Sequence, residues 1–233
     1  PEEIVEFLKK KGNEKLGLIG KRIMITAGPT YEALDPVRFI GNHSTVKMGF
    51  ALAEECANQG AEVSLICGPT ALTTVNKSIH RIDITSAEEL YTAAVKEFQT
   101  ADVSILSAAV ADFKPDTVAK QKIKKADTAP TINLVPTKDT LLELGKLKKK
   151  NQLLVGFALE TENEVENAKK KIKNKNLDLI VLNSLNDKGA GFKGDTNKVT
   201  IIDKYNNLKE FKLKTKQEVA KDILNTILDF KNS

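Results

Sequence analysis

The sequence predicts an α/β fold: a doubly wound, mainly parallel sheet with a C-terminal β-hairpin and helix. Three observations carry this. Short apolar runs, at 22–27, 62–67 and 102–107 among others, alternate with longer amphipathic segments such as 47–59 and 162–175. Two of the runs end in the same Gly-Pro-Thr turn, at 28–30 and 68–70. Towards the C-terminus the alternation stops, and runs 198–203 and 208–213 follow each other through Asn206-Asn207. A strand followed by a helix and another strand needs a crossover, so the strands lie parallel and helices cover both faces. Two strands joined by an Asn-rich turn pair as a hairpin instead.

Along the chain, residues 1–20 read as a short charged helix and a connector broken by Gly12, Gly17 and Gly20. Residues 1–17 are assigned to a linker and 18–233 to one folded domain. The first strand is RIMITA (22–27). Residues 47–59 place Met48, Ala51, Leu52 and Cys56 at helical spacing and stop at Gly60. EVSLIC (62–67) and 79–84 are the next strands. Ser86, with Glu89 three residues on, forms a capping box that starts a helix. DVSILS (102–107) is a fourth strand, followed by a loop-rich stretch to Pro136 with a short strand near 131–135. A helix over 139–149, a strand at 152–157, a Lys-rich helix over 162–175 and a strand at 177–182 precede the hairpin, and an amphipathic helix at 215–230 ends the fold. Ligands of such sheets sit at the carboxyl ends of the strands. Functional residues are therefore expected in 28–47, 68–70, 108–125, 156–161 and 183–193.

Composition narrows the function classes. The 233 residues are 41% hydrophobic, enough for one sizeable core, which excludes a disordered chain. No apolar stretch approaches the roughly 18 residues of a membrane span, and the opening PEEIVEFLKKKG lacks the apolar centre of a secretory signal. A cytoplasmic protein with no membrane partner is expected. The chain starts on Pro1 rather than Met and reads as a fragment of a longer product. Cys56 and Cys67 lie in an apolar helical pattern and at the end of an apolar strand, and are expected as buried thiols. Two histidines and no Cys-x-x-Cys argue against zinc. The 36 basic against 31 acidic residues leave +5, but aromatics are only 5% and Trp is absent. That leaves no stacking platform for single-stranded nucleic acid, and no nucleic-acid partner is expected. Clustered lysines suit small anionic molecules.

The densest signal is GPTYEALDPVRFIGNHSTVKMG (28–49), a connection of about twenty residues between the first strand and first helix, long enough to be functional. Asn42, Ser44 and Thr45 can cap that helix, whose free N–H groups attract an anion. The dinucleotide fingerprint GxGxxG is absent, and Val46 and Met48 break a P-loop reading of Gly41 to Lys47. Arg38 either forks onto a phosphate or carboxylate or pairs with Asp35 to brace the loop. In AAVADF (108–113) small residues let a flat base approach the backbone, while Asp112 holds a divalent cation or a sugar hydroxyl, or caps a turn. The run KQKIKK (120–125) is either a solvated face or a flap that lays ammonium groups on phosphates. Lys171 and Lys175, four apart, share one helix face.

Taken together, ITAGPTYEALDPVRFIGNHS (25–44), KMGFALAEE (47–55), GAEVSLICGPT (60–70), AAVADF (108–113), KIKK (122–125), VGFALET (155–161) and NLDLIVLN (176–183) resemble phosphopantothenate–cysteine ligase, also called phosphopantothenoylcysteine synthetase. The resemblance runs from Leu18 to Phe230. It implies a Rossmann-like fold and a step of coenzyme A biosynthesis in which 4′-phosphopantothenate and L-cysteine are joined using CTP. An acyl-cytidylate forms, and CMP and pyrophosphate are released. It implies magnesium or manganese, a homodimer, and fusion to a flavin-dependent decarboxylase domain preceding this one. Carried over by position, Asn42 matches the asparagine that holds the acyl-nucleotide, Arg38 its neighbouring arginine, and Lys122 the activating lysine of the flap, which also contacts the nucleotide. Ser107, Ala108, Ala109, Asp112, Lys138, Asp139, Thr140, Leu141, Phe157, Lys171 and Lys175 match nucleotide contacts, with Asp112 also the candidate metal ligand.

Two positions depart from the family pattern. Val46 stands where glycine is expected; a positive φ there would strain valine, and a close phosphate would be crowded by it. Thr137-Lys138-Asp139 stands where Asn-Pro-Asp is usual. Two readings of other classes remain beside the ligase: a nucleotide-binding module without catalysis, and an NAD(P)-dependent oxidoreductase, which the missing glycine fingerprint disfavours. CTP against ATP is not decided, because base contacts there come from backbone atoms.

Overall fold

The structure is a computed structural model that describes residues 17–125, 131–160, 162–184 and 194–232. Its strands are β1 (Arg22–Ala27), β2 (Tyr31–Ala33), β3 (Phe39–Gly41), β4 (Glu62–Cys67), β5 (Ile79–Asp83), β6 (Val103–Leu106), β7 (Phe113–Pro115), β8 (Leu134–Pro136), β9 (Leu153–Glu160), β10 (Leu179–Ser184), β11 (Thr196–Asn197), β12 (Val199–Asp203), β13 (Leu208–Glu210) and β14 (Lys214–Thr215). The helices are α1 (Lys47–Asn58), α2 (Ala87–Phe98), α3 (Thr140–Leu147), α4 (Glu164–Asn174) and α5 (Lys216–Asn232). One sheet joins eight strands in the order β13-β12-β10-β9-β6-β1-β4-β5. The strands from β10 to β5 are parallel, and β12 and β13 extend one edge in antiparallel fashion. From β1 the chain winds out through β4 to β5, then crosses to β6 on the other side of β1 and continues to β9 and β10. The winding reverses between β1 and β6, which is where such a sheet opens a ligand crevice. The architecture is the Rossmann-like, doubly wound one that the sequence predicts.

Alternation along the strands divides the apolar side chains between two cores. Ile23 and Ile25 of β1 pack with Leu52 and Cys56 of α1 and with Val219, Ile223 and Ile227 of α5. Met24, between them, packs on the other face with Leu90 and Phe98 of α2, Leu144 of α3 and Ile172 of α4. Val155 against Leu154 in β9, and Val181 against Ile180 in β10, repeat the division. Strands buried on both faces have no polar side to display, which explains their continuous apolar runs. Full burial of each such side chain stabilises the fold by about 1.5–3 kcal/mol.

Local signals act where the sequence places them. Ser86 Oγ accepts from the Glu89 amide and the Glu89 carboxylate accepts from the Ser86 amide, both at 3.3 Å, which starts α2. Asp139 caps α3 by accepting from the Leu142 amide at 3.0 Å. Cys56 and Cys67 are free and buried, and burial pushes their thiols up to about 12 and about 11. Among the described residues no helix is long and apolar enough to cross a membrane.

Two expectations change. The connection 28–49 is not plain loop: β2 and β3 pair antiparallel within it, and the rings of Tyr31 and Phe39 stack at 3.9 Å. Asp35 makes the bend, its Oδ1 accepting from the amides of Val37 (2.8 Å) and Arg38 (2.9 Å). Nor do Asn42 and Ser44 cap α1. The N-cap position falls on Val46, which makes no side-chain cap bond, while Ser44 Oγ accepts from the Val46 amide and Asn42 Nδ2 donates to the Val110 carbonyl. The segment expected as charged helix and connector lies outside the described residues up to residue 16, as do 185–193 of the last strand-end segment.

Candidate functional site

The turns that follow β1 and β6 run side by side over the switch point. Ala109 N donates to Gly28 O (2.8 Å), and Pro29 and Ala109 form an extra parallel bridge. Two buried threonines hold the facing backbone: Thr26 Oγ1 accepts from Ala108 N (3.2 Å) and Thr30 Oγ1 from Ala111 N (2.9 Å). Ser107 Oγ donates to Thr26 O at 2.7 Å. With the backbone held by side chains from the neighbouring strand end, alanines suffice at 108, 109 and 111, and their small size leaves the crevice open.

A cleft of about 350 Å³ opens there. Ala108, Asp112, Lys138, Asp139, Thr140, Leu141, Phe157, Lys171 and Lys175 line it, nine of the twelve positions named above for nucleotide contact. They arrive from the turn after β6, from the middle of β9, from the start of α3 and from the C-terminal end of α4. Of the other three, Ser107 lines an adjoining cavity that shares the Phe157 wall, Ala109 is held in the turn, and Lys122 is exposed on the basic segment.

The cleft is electrically mixed. Lys175 pairs with Asp139 at 2.6 Å, and Lys138 pairs with Glu88 at 2.6 Å with its ammonium 4.4 Å from the Tyr91 ring centre. Burial acts to raise the Asp139 carboxyl, but the Lys175 bond and the Leu142 amide outweigh it, so the group sits below the usual carboxylate range. Lys171 donates to the Phe157 carbonyl at 3.3 Å. Burial, and then repulsion from Lys175, pull its ammonium below the ordinary lysine range. The hydroxyl of Thr140, at the start of α3 and only 5% exposed, has no hydrogen-bond partner among the described residues. Half-buried cations and a buried hydroxyl beside a helix start suit a ligand that brings its own anionic oxygens.

Comparisons with known proteins bear on the family and the fold. Residues 18–230 match the DNA/pantothenate metabolism flavoprotein C-terminal domain family. The chain belongs to that family. It is 46% identical to the coenzyme A biosynthesis bifunctional protein CoaBC of Bacillus subtilis (strain 168), over 97% of this chain and 56% of that protein. It is 56% identical to a protein of an unknown prokaryotic organism named cysteine/cysteine sulfinic acid decarboxylase, over 98% of this chain and 65% of that protein. The chain thus spans 56–65% of the length of these curated relatives. The crystal structure of the C-terminal domain of a CoaBC protein superposes with a TM-score of 0.77 at 43% identity, covering 91% of this chain and 96% of that one.

In this member of the family, Arg38, Asn42 and Lys122 do not line either cavity. Arg38 donates to Asp35 Oδ2 and to the Ile123 carbonyl, so the bracing geometry is formed and ties the basic segment to the β2–β3 hairpin. Asn42 reaches the same crevice through its bond to Val110.

Val46, the departure from the family pattern, has φ 56 and ψ −16. A β-branched residue in the left-handed region is strained. Its side chain is buried, and a Cβ added to Gly28 (φ 85) would lie 2.6 Å from Val46 Cγ1. The glycine at 28 therefore makes room for the valine at 46. Sequence reasoning missed Asn197 and Lys216, which line the adjoining cavity with Ser44, Lys47 and Asn183. Asn183 fell in a strand-end segment, but Lys216 looked like one more lysine at the start of an amphipathic helix, and nothing local set it apart.

Proposed function

We propose that this family member is a phosphopantothenate–cysteine ligase domain that uses CTP. One observation carries the reading: nine positions named from the resemblance, scattered from 108 to 175, line one cleft at the topological switch point. A carboxylate does not react with an amine until one of its oxygens becomes part of a good leaving group. In the proposed reaction the phosphopantothenate carboxylate attacks the α-phosphate of CTP, displacing pyrophosphate and forming an acyl-cytidylate. The amine of cysteine then attacks the acyl carbon, CMP leaves, and the amide remains. The chain's share is positioning and electrostatics. The backbone at 107–109 and the Phe157 wall orient the base, Lys171 and Lys175 hold phosphate oxygens, Asn42 orients the acyl oxygen, and Lys122 reaches the reacting phosphate from the segment clamped at Ile123.

Among the described residues no three His, Cys, Asp or Glu side chains gather to hold a metal. A lone exposed Asp112 fits magnesium or manganese that is held mainly by nucleotide phosphates, since Mg²⁺ takes one or two carboxylates beside phosphate oxygens. Bound there, the metal would offset negative charge on the phosphates.

A homodimer is also proposed. Val37, Phe39, Phe113, Val118, Ile132 and Leu134 are exposed on the two small hairpins and the loop between them, an apolar surface of the kind partners cover. A preceding flavin-dependent decarboxylase domain in the whole protein is proposed as well; the relative named bifunctional, of which this chain spans 56%, supports a second domain.

The test is incubation with phosphopantothenate, cysteine, CTP and magnesium. CMP and pyrophosphate should appear together with the amide; no release with CTP or ATP, beside an active control enzyme, defeats the proposal. The name of the 56% identical relative motivates a second assay, carbon dioxide release from cysteine or cysteine sulfinic acid. Release by this chain alone would replace the ligase reading.

A further inference from the structure

Three successive residues just ahead of α3 each fasten to a different neighbour. Asp139 pairs with Lys175, just past α4, and Lys138 pairs with Glu88 of α2. Thr137 holds the turn after β6, and it does so twice. Its N–H donates to the Asp112 carbonyl at 2.9 Å, and its Oγ1 donates to the Ala111 carbonyl at 2.7 Å. Thr137 itself lines the nucleotide cleft.

The first of these bonds extends the β7–β8 ladder. Pro136 faces Phe113 in that ladder and has no N–H to give, so the next donor along the strand is Thr137. The second is a side-chain bond that the ladder does not require. Ala111 is 3% exposed, and threonine hydroxyls from two distant segments meet both its polar groups: Thr30 Oγ1 accepts from its N–H, and Thr137 Oγ1 donates to its carbonyl. The carbonyls of Ala111 and Asp112 belong to the two planar peptide units that flank the Asp112 Cα. Thr137 thus fixes the plane on either side of one residue. The rotamers open to a side chain depend on the backbone that carries it, so fixing both planes aims the exposed Asp112 carboxylate. That carboxylate faces Lys171 across the cleft, and with Glu160 and Asp139 it opposes the fall of the Lys171 ammonium below its ordinary range.

We infer that Thr137 is a positioning residue that acts through Asp112. By holding both peptide units around Asp112 it sets where that carboxylate stands relative to Lys171 and the start of α3, and so where a magnesium nucleotide is held. The role rests on the ligase reading above, which supplies the nucleotide and the metal. Because the Thr137 hydroxyl proton is committed to Ala111, its effect on the nucleotide passes through the turn.

The test is a double-mutant cycle, with CTP and magnesium titrated by calorimetry into the parent, Thr137→Val, Asp112→Asn and the double variant. Thr137→Val keeps the shape and removes the donor, leaving the Ala111 carbonyl unmet, and should weaken binding roughly tenfold. Thr137→Ser keeps the hydroxyl and should recover most of the loss. The double variant should bind about as weakly as Asp112→Asn alone. Losses that multiply would mark Thr137 as a merely structural residue and overturn the inference, as would parent-like binding by either single variant. Thr137→Ala removes the same donor and takes the place of the valine variant should that fail to fold. Without any ligand, amide exchange at Ala111 should rise in Thr137→Val, and unchanged exchange also overturns the inference. The coupled binding loss without turnover of phosphopantothenate and cysteine would defeat the ligase reading and leave this role standing. Turnover by the parent with losses that multiply would do the reverse, and a parent that binds no CTP defeats both.

Discussion

Arg38 donates twice to one oxygen of Asp35, from Nε at 2.9 Å and from Nη2 at 2.6 Å, and the same Nη2 donates to the Ile123 carbonyl at 2.7 Å. Asp35 Oδ2 in turn accepts from the Ile123 amide at 3.1 Å. The pair therefore grips both polar groups of one residue in the middle of the basic segment 120–125, and Lys122 is the immediate neighbour of that residue.

Replacing Asp35 by Ala should release this segment. Amide exchange at 122–124 should rise, and Lys122-dependent turnover should fall roughly tenfold through lost positioning, while CMP binding in the cleft is retained. Burial acts to raise the Asp35 carboxyl, but the Arg38 bond and the Val37 and Ile123 amides hold it well below the ordinary carboxylate range. Its folded-state pKa is depressed, so its stabilisation is complete above the ordinary range and is lost as pH falls towards the folded value. The Asp35→Asn protein should show a shallower loss of stability on acidification below about pH 4. Parallel acid profiles would contradict the clamp.

Val46 should reverse the usual order of alanine and glycine. In an ordinary helix or strand, glycine costs about 0.5–1 kcal/mol relative to alanine. At φ 56 an L-residue instead costs roughly 1–2 kcal/mol relative to glycine. Val46→Gly is therefore expected to be more stable than Val46→Ala by about 0.5–1 kcal/mol in urea unfolding. The opposite order would mean that α1 does not begin through a left-handed residue.

Gly49 should not tolerate a methyl group although it lies inside α1. A Cβ there would collide with Ala27 Cβ and come within 3.1 Å of Ser107 Oγ. Helix propensity favours alanine by about 1 kcal/mol, but overpacking against the end of β1 costs typically 1–3. A net loss of up to about 2 kcal/mol is expected for Gly49→Ala, and a stabilised variant would refute the close approach of α1 to β1.

Lys171 should trade stability for binding. Burial and the neighbouring Lys175 depress its folded-state pKa, so holding it charged costs stability at neutral pH, and the cost disappears as pH rises from the folded value to the ordinary 10.5. Lys171→Met should melt about 1–3 °C higher near pH 7, with the difference narrowing at alkaline pH, and should bind nucleotide more weakly. A lower melting temperature with unchanged nucleotide affinity would show that Lys171 is a structural residue.

Much of the fold was legible because its signals are local. The apolar run RIMITA, the Ser86–Glu89 box and the Asn206-Asn207 turn each depend on residues no more than a few positions apart, and each produces the element expected of it. The hairpin inside 28–49 was missed because its strands are three residues long and it is held by Asp35 and a Tyr31–Phe39 stack rather than by a periodic pattern. The cleft residues were legible through a resemblance: Lys171 and Lys175 alone are two more lysines on a charged helix.

By itself the sequence determined which segments become the long strands and helices, since apolar period and turn chemistry act over one or two turns of chain. Only the tertiary structure decided that the chain reverses its winding between β1 and β6, that Arg38 meets Ile123 across 85 residues, and that Lys216 joins Lys47 at one cavity. Those relations depend on how strand order and two cores bring distant segments together, and no local pattern encodes a distance between segments that meet only after packing.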